Sequence, residues 1–214
     1  MPAKGVTGDK IVTPRARLSF AHIFRPDTQG QYADGKYKCD LLFNETDDTE
    51  YQYGELKEKV KQGVTRLKRS ALKTAREAFG KELKLSDITH PFRAGDEKDG
   101  QEAYEGMSFI TARSKYKPDI ADEKLNRIAD EADLKSGDYV RVSLVPFTYV
   151  QGKKRGVSFR LGNIQRLAVG EALGGGSGGS AEADFDEVTV TASELDETAA
   201  FDDVTDDSDG DIGL

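Results

Sequence analysis

Apolar and polar residues alternate along several short stretches of the chain, and one longer stretch repeats with helical period. From 11 to 24, Ala16, Leu18, Phe20, His22 and Phe24 alternate with Arg15, Arg17, Ser19, Ala21 and Ile23, which predicts a first strand with one buried face. Pro14 near its start marks an edge or entry position. A polar loop then ends in the turn signal Ala33-Asp34-Gly35. A second strand is expected over 36–43, with Tyr37, Cys39, Leu41 and Phe43 on one side and Lys36, Lys38, Asp40 and Leu42 on the other. Next comes a long amphipathic helix. Asp47 and Glu50 have capping-box spacing, Leu56, Val60, Val64, Leu67, Ala71, Ala75 and Ala78 form one apolar stripe, and Gly80 suits the position after the helix. Its other faces are basic, with Lys57, Lys59, Lys61, Arg66, Lys68, Arg69, Lys73 and Arg76.

Residues 86–103 read as a loop, and a third strand runs from about 107 to 117, where Pro118 stops it. The charged stretch 120–134 carries at best a short helical pattern. Two adjoining strands follow the turn Ser136-Gly137-Asp138, over 139–150 and 157–167, and the short link 151–156 predicts an antiparallel hairpin. The domain is therefore mainly β, with about five strands and one long helix inserted between the second and third, a pattern shared by several small barrels.

Composition separates this domain from its ends. Residues 1–10 read as a flexible arm, 11–173 as the folded domain, 174–180 as a Gly/Ser linker and 181–214 as an acidic tail. The formal net charge of −8 conceals a segregation: all 31 basic residues precede residue 174, whereas 13 of the 39 acidic ones follow it. The body thus carries about five positive charges and the tail thirteen negative ones, an asymmetry typical of nucleic-acid partners. The tail's scattered apolar residues, such as Phe185, Val188, Leu195 and Phe201, are too few to offset the entropy of ordering, so disorder is expected there. Cys39 stands alone, which fits a reducing compartment and a small core residue. No apolar signal core opens the chain, and an intracellular protein is expected.

The residues offer little for catalysis. His22 and His90 have no metal-ligand spacing, no phosphate loop or nucleophile elbow is present, and Asp40 is the one carboxylate inside a predicted strand. A carboxylate-dependent nuclease would need two or three on strands. Binding is better supported, because single strands are held by cationic grooves and by aromatic faces that stack on bases. Tyr32, Lys36 and Lys38 combine both ingredients around the second strand, beside Tyr37, which its alternation assigns to the core. Arg113, Lys115, Tyr116 and Lys117 do so on the third, where period-two geometry lines up the three cations on one face. The hairpin adds Phe147 and Tyr149, the tip residues Lys153, Lys154 and Arg155, and Arg160 on its return strand. Each has a plainer alternative: Tyr139, Phe147 and Tyr149 share a face with Arg141 and line either solvent or core, and the Lys-Lys-Arg tip is equally a solvated turn. Phe159 and Tyr37 alternate with apolar neighbours and are expected inside.

The stretch Gly137-Asp138-Tyr139-Val140-Arg141, with Pro146-Phe147-Thr148-Tyr149, Lys154-Arg155-Gly156-Val157-Ser158-Phe159 and Leu161-Gly162-Asn163-Ile164-Gln165, resembles the core of a phage single-stranded DNA-binding protein family of the Enterobacter phage type. So does Ala112-Arg113-Ser114-Lys115-Tyr116-Lys117-Pro118. The resemblance covers most of residues 11–170. It implies a five-stranded OB-fold barrel that binds single-stranded DNA without sequence preference in phage replication, recombination or repair, in the host cytoplasm and without a cofactor. The implied architecture is similar to that of the phage T7 single-stranded DNA-binding protein, acidic tail included.

In that reading the tail competes with DNA for the cationic groove, and its tip, with Asp206, Asp207, Asp209, Asp211, Ile212 and Leu214, recruits replication or recombination proteins. The alternative is an interaction adaptor whose acidic tail mimics DNA to its partner.

Overall fold

A computed structural model describes residues 5–29 and 33–173. Tyr32, the Gly/Ser linker, and the acidic tail with Asp206, Asp207, Asp209, Asp211, Ile212 and Leu214 lie outside the described residues. The expected first strand is two segments, β1 (Ile11–Val12) and β2 (Ala16–His22). Both run antiparallel along β9 (Tyr139–Gln151), with a one-residue slip between them. The interruption falls at Thr13-Pro14. Pro14 has no N–H to give the ladder, and the Thr13 Oγ1 instead accepts from the Val142 amide at 3.0 Å.

The alternation of β2 also fails at its centre. Leu18 and Ile23 are fully buried, but the register against β3 (Tyr37–Phe43) shifts between Ser19 and His22. Phe20, expected on the buried face, stands at φ +45° with its ring turned outward. For a residue with a Cβ, the left-handed conformation costs about 1–2 kcal/mol.

The long helix is shorter than its stripe suggested. Residues 50–59 form a hairpin, β4 (Glu50–Tyr53) and β5 (Leu56–Lys59), turning on Gly54 at φ +64°. Only then does α1 (Val60–Phe79) begin. Asp47 therefore caps a turn, accepting from the Thr49 amide at 2.9 Å and the Tyr51 hydroxyl at 2.7 Å, and Leu56 is exposed. The reciprocal cap lies at the true start, where the Lys59 amide donates to Gln62 Oε1 at 2.9 Å. From Val60 to Ala75 the predicted stripe holds, with Val60, Val64, Leu67, Ala71 and Ala75 buried in the central core, while Ala78 at its end is only half-buried. Burying the larger of these contributes roughly 1.5–3 kcal/mol each. Gly63 lets the helix sit against the chain entry, since a Cβ there would lie 2.4 Å from the Pro14 Cβ.

The remaining strands are β6 (Arg93–Ala94), β7 (Ser108–Ser114), β8 (Ile120–Ala121) and β10 (Lys154–Ala168). The charged stretch over 120–134 holds β8 and one short 3-10 turn at Glu131–Asp133 rather than an α-helix. The terminal hairpin is tighter than expected. Gln151 pairs with Lys154, so Gly152 and Lys153 alone make the turn, and Lys154 and Arg155 belong to β10.

Pairings run from β2 to β3, β7, β10, β9 and back to β2, closing a circuit of five strands. All are antiparallel except β7 with β10, which meet at Arg113 and Arg160. Inside lie Leu18, Leu41, Phe43, Ile110, Val140, Val142, Leu144, Phe159 and Leu161, joined by the buried stripe of α1. Cys39 and Phe159 are core residues, as expected, and Tyr37 packs at the core's margin. Burial and the neighbouring Asp40 carboxylate push the Cys39 thiol far up, so it stays protonated. Among the described residues no helix is long and apolar enough to cross a membrane.

Candidate nucleic-acid interface

Two insertions decide which parts of the outer surface stay open. Along β9 the odd-numbered side chains face outward in one row, from Tyr139 to Tyr149. The β4–β5 hairpin covers one end of that row. There the Arg15 guanidinium lies 3.4 Å from the Tyr139 ring centre and bonds to the Tyr51 hydroxyl, and Arg141 lies 4.0 Å from the Tyr53 ring centre. The hairpin is held down by a half-buried ion pair, Arg66 Nη2 to the buried Glu58 Oε1 at 2.6 Å, and Arg66 also donates to the Val12 carbonyl. Tyr139 and Arg141 are thus spent on structure. The other end of the row, Phe147 and Tyr149, remains free of the hairpin.

The second insertion, residues 95–107, covers one end of the outer face of β3 and β7. Tyr104 packs its ring on Phe109 at 5.2 Å and, with Leu42, forms a small core of its own. The Tyr104 hydroxyl donates to Asp40 at 2.8 Å, as do Lys98 at 2.5 Å and the Thr111 hydroxyl at 2.6 Å. Asp40 is therefore a satisfied buried carboxylate with three donors. Among the described residues, no group of three His, Cys, Asp or Glu residues could hold a metal ion.

Between the two covered ends lies an open groove of about 990 Å3. It brings together seven of the residues singled out in the sequence: Lys36, Arg113, Lys115, Tyr116, Phe147, Tyr149 and Arg160. Arg113 and Arg160 stand opposite one another on adjacent strands, both exposed. Like charges in register repel unless an anion lies over them. One carboxylate partly answers them, since Asp34 Oδ2 lies 3.4 Å from both Arg113 and Lys36. Phe147 and Tyr149 lie 6.4 Å apart at 48°, with the Arg160 guanidinium 5.9 Å from the Phe147 ring centre. Tyr116 is 66% exposed, with the Lys115 ammonium 5.0 Å from its ring centre.

Tyr149 owes its position to Gly156, its pairing partner on β10. A Cβ at that glycine would stand 2.4 Å from the ring's Cζ, so the ring lies across the neighbouring strand only because no side chain is there.

The other singled-out residues lie elsewhere. Lys38 pairs with Asp27 and is only 17% exposed, so it stabilises the loop after β2 rather than facing the groove. That bond holds the Asp27 carboxyl below its usual range. Lys153, Lys154 and Arg155 line a separate shallow surface with Ser86–Thr89, which shares Thr89 with the groove. Lys117 lies beyond the end of β7, exposed and outside the groove.

Residues that the sequence did not mark for binding complete the lining, notably His90, Arg93 and Ser158. His90 and Arg93 belong to a segment that bonds to β10 at Thr89 and to β7 at Arg93, beside the place where those strands meet only once. The mixture His90-Pro91-Phe92-Arg93 carried the same ring-and-cation signal used elsewhere. It went unread because it lies in a loop without periodicity.

The groove thus gathers exposed cations beside aromatic rings, the two ingredients that single-strand binding surfaces combine. A family model described as Enterobacter phage Enc34, ssDNA-binding protein, matches residues 9–197. The chain belongs to that family. The Enc34-type family is one of DNA-binding proteins, not of enzymes. Among solved structures, the chain is similar to the single-stranded DNA-binding protein of bacteriophage Enc34 in complex with ssDNA, at 16% identity and a TM-score of 0.62, covering 77% of this chain and 89% of that one. A C-terminal truncation of the Enc34 protein matches at 17% identity and a TM-score of 0.60, covering 81% and 97%. The single-stranded DNA-binding protein gp2.5 of bacteriophage T7 aligns at 16% identity and a TM-score of 0.48, covering 76% and 93%. At these identities the likeness to the Enc34 structures is one of fold. No curated protein sequence matches the chain.

Proposed function

We propose that this protein binds single-stranded DNA without sequence preference, seating the strand in the groove between β7, β9 and β10. The observation that carries this reading is the groove itself: Lys36, Arg113, Lys115 and Arg160 beside the rings of Tyr116, Phe147 and Tyr149, in a member of the Enc34-type family. The cations track phosphates and the rings stack on bases, neither of which depends on base identity. The five-strand circuit, with its single parallel contact and its hairpin β9–β10, supports assignment as an OB-fold barrel carrying an inserted helix. In that fold oligonucleotides lie on the second and third strands and on the loops after the first and fourth. Here these are β3, β7, the loop containing Asp34, and the hairpin tip with Lys153, next to Lys154 and Arg155 on β10. The family supports a role in phage replication, recombination or repair in the host cytoplasm.

The acidic residues after the linker at 174–180 act as a tethered competitor for the groove. Thirteen negative charges held near a cationic surface have an effective concentration of order mM. DNA displaces them and frees the tip, with Asp206, Asp207, Asp209, Asp211, Ile212 and Leu214, for replication or recombination partners.

The test is a titration of a fluorescent strand of about 30 nucleotides with the full chain and with residues 1–173 across a salt series. Binding by both, tighter for the truncation at low salt, is the expected result. Binding by neither overturns the function, and equal dissociation constants overturn the competition alone.

A further inference from the structure

Phe20 departs from the pattern that the rest of β2 follows. Its neighbours Leu18 and Ile23 are fully buried, whereas Phe20 is 46% exposed and sits at φ +45°. The register slip between Ser19 and His22 is the cause, because it places an additional residue on β2 and swings the ring out of the sheet. An aromatic residue held outward in a conformation that L residues disfavour is the kind of departure that gathers at ligand sites.

The ring's surroundings point the same way. The Lys98 ammonium lies 4.5 Å from its ring centre, and the Tyr104 ring lies 6.3 Å away. Lys98 is bonded to Asp40, Asp40 accepts from Thr111, and Thr111 lines the groove. A chain of three contacts thus leads from the groove over the outer face of β7 and β3 to the exposed ring. Along that path Tyr104, Phe109 and Leu42 are buried under the 95–107 insertion, whereas Phe20 stands exposed.

We infer that Phe20 is a further base-stacking platform, on which a single strand seated in the groove lays a base after crossing β7 and β3 past Lys98. The inference rests on the proposed single-stranded DNA binding and extends its path beyond the groove. It gives the bulge in β2 a function, and it predicts that strands too short to leave the groove do not sense this residue.

The chain contains no tryptophan, so Phe20→Trp creates a single tryptophan reporter at the site, excited selectively over the tyrosines. In the whole chain, a saturating strand of about 30 thymidines should quench that emission and bind as tightly as to wild type. Phe20→Ala should weaken binding of this strand by at least about 5-fold, the lower bound for one stacked base. Phe20→Leu should lose as much, because it keeps the bulk but not the ring, and a strand of about 5 nucleotides should bind all variants alike. Unchanged Phe20→Trp emission at saturation, or wild-type affinity of Phe20→Ala for the long strand, would overturn the inference while wild type still binds. Failure of wild type to bind in the same titration overturns the functional reading as well.

Discussion

Replacing Arg113 and Arg160 by alanine, singly and together, separates a binding groove from a merely basic surface. The two side chains face one another across β7 and β10, and Arg113 is 55% exposed with one long contact to Asp34 at 3.4 Å. Such a surface pair contributes at most about 1 kcal/mol to folding, and removing either arginine also relieves their repulsion. Thermal stability should therefore change little. Binding should change in a defined way. Each phosphate contact to a single strand contributes ~0.7 to the slope of log K against log salt, so each single variant lowers that slope by ~0.7 and the double by ~1.4. Extrapolated from 1 M to 0.1 M salt, one such contact corresponds to roughly 5-fold in affinity and two to roughly 25-fold. Fluorescence anisotropy from 0.05 to 0.5 M salt reads both quantities. A double variant that keeps the wild-type slope would show that neither arginine meets a phosphate, and the groove would have to be abandoned.

Two further outcomes follow from particular contacts. Gly156→Ala should push the Tyr149 ring off β10 rather than unfold the hairpin, because the Cβ meets the end of a side chain. Its affinity loss should match that of Tyr149→Ala, and the double variant should be no worse than either single one; additive losses would show that the ring's placement is irrelevant. The Lys38 bond depresses the folded pKa of Asp27 below its ordinary 3.8. The resulting stability is fully present above 3.8 and is lost as pH falls through the lower folded value. In urea unfolding, the stability difference between wild type and Asp27→Asn should therefore be constant at neutral pH and shrink below 3.8. A difference that stays constant into acid would contradict the assignment.

Strands were legible wherever one face meets the core and the other meets solvent. The alternation over 139–150 translates directly into buried Val140, Val142 and Leu144; that over 36–43 gives buried Cys39, Leu41 and Phe43, while the 95–107 insertion buries Asp40 and Leu42 on the opposite face as well. It misled at Phe20, because a bulge changes the phase of every later residue and depends on the partner strand. The helix stripe was legible from Val60 onward, but Leu56 falls on the same stripe by coincidence of spacing, and Gly54 was the unread sign of a turn. The groove was legible in composition but not in membership. Lys38 and Arg113 look equivalent in sequence, yet they are paired neighbours on β3 and β7 with different fates. One meets Asp27, eleven residues away, and the other faces the groove. Likewise Tyr139 and Tyr149 share one face of β9, and only the packing of a distant hairpin decides which is covered.

A preference of the whole chain for single strands is read out by an anisotropy titration of one fluorescent strand, alone and annealed to its complement. The groove's rings need unpaired bases on which to stack, so the single strand should bind more tightly by at least about 10-fold, with affinity falling steeply as salt rises. Equal affinity for both forms would mean that the rings play no part, and no binding to either would contradict the account outright.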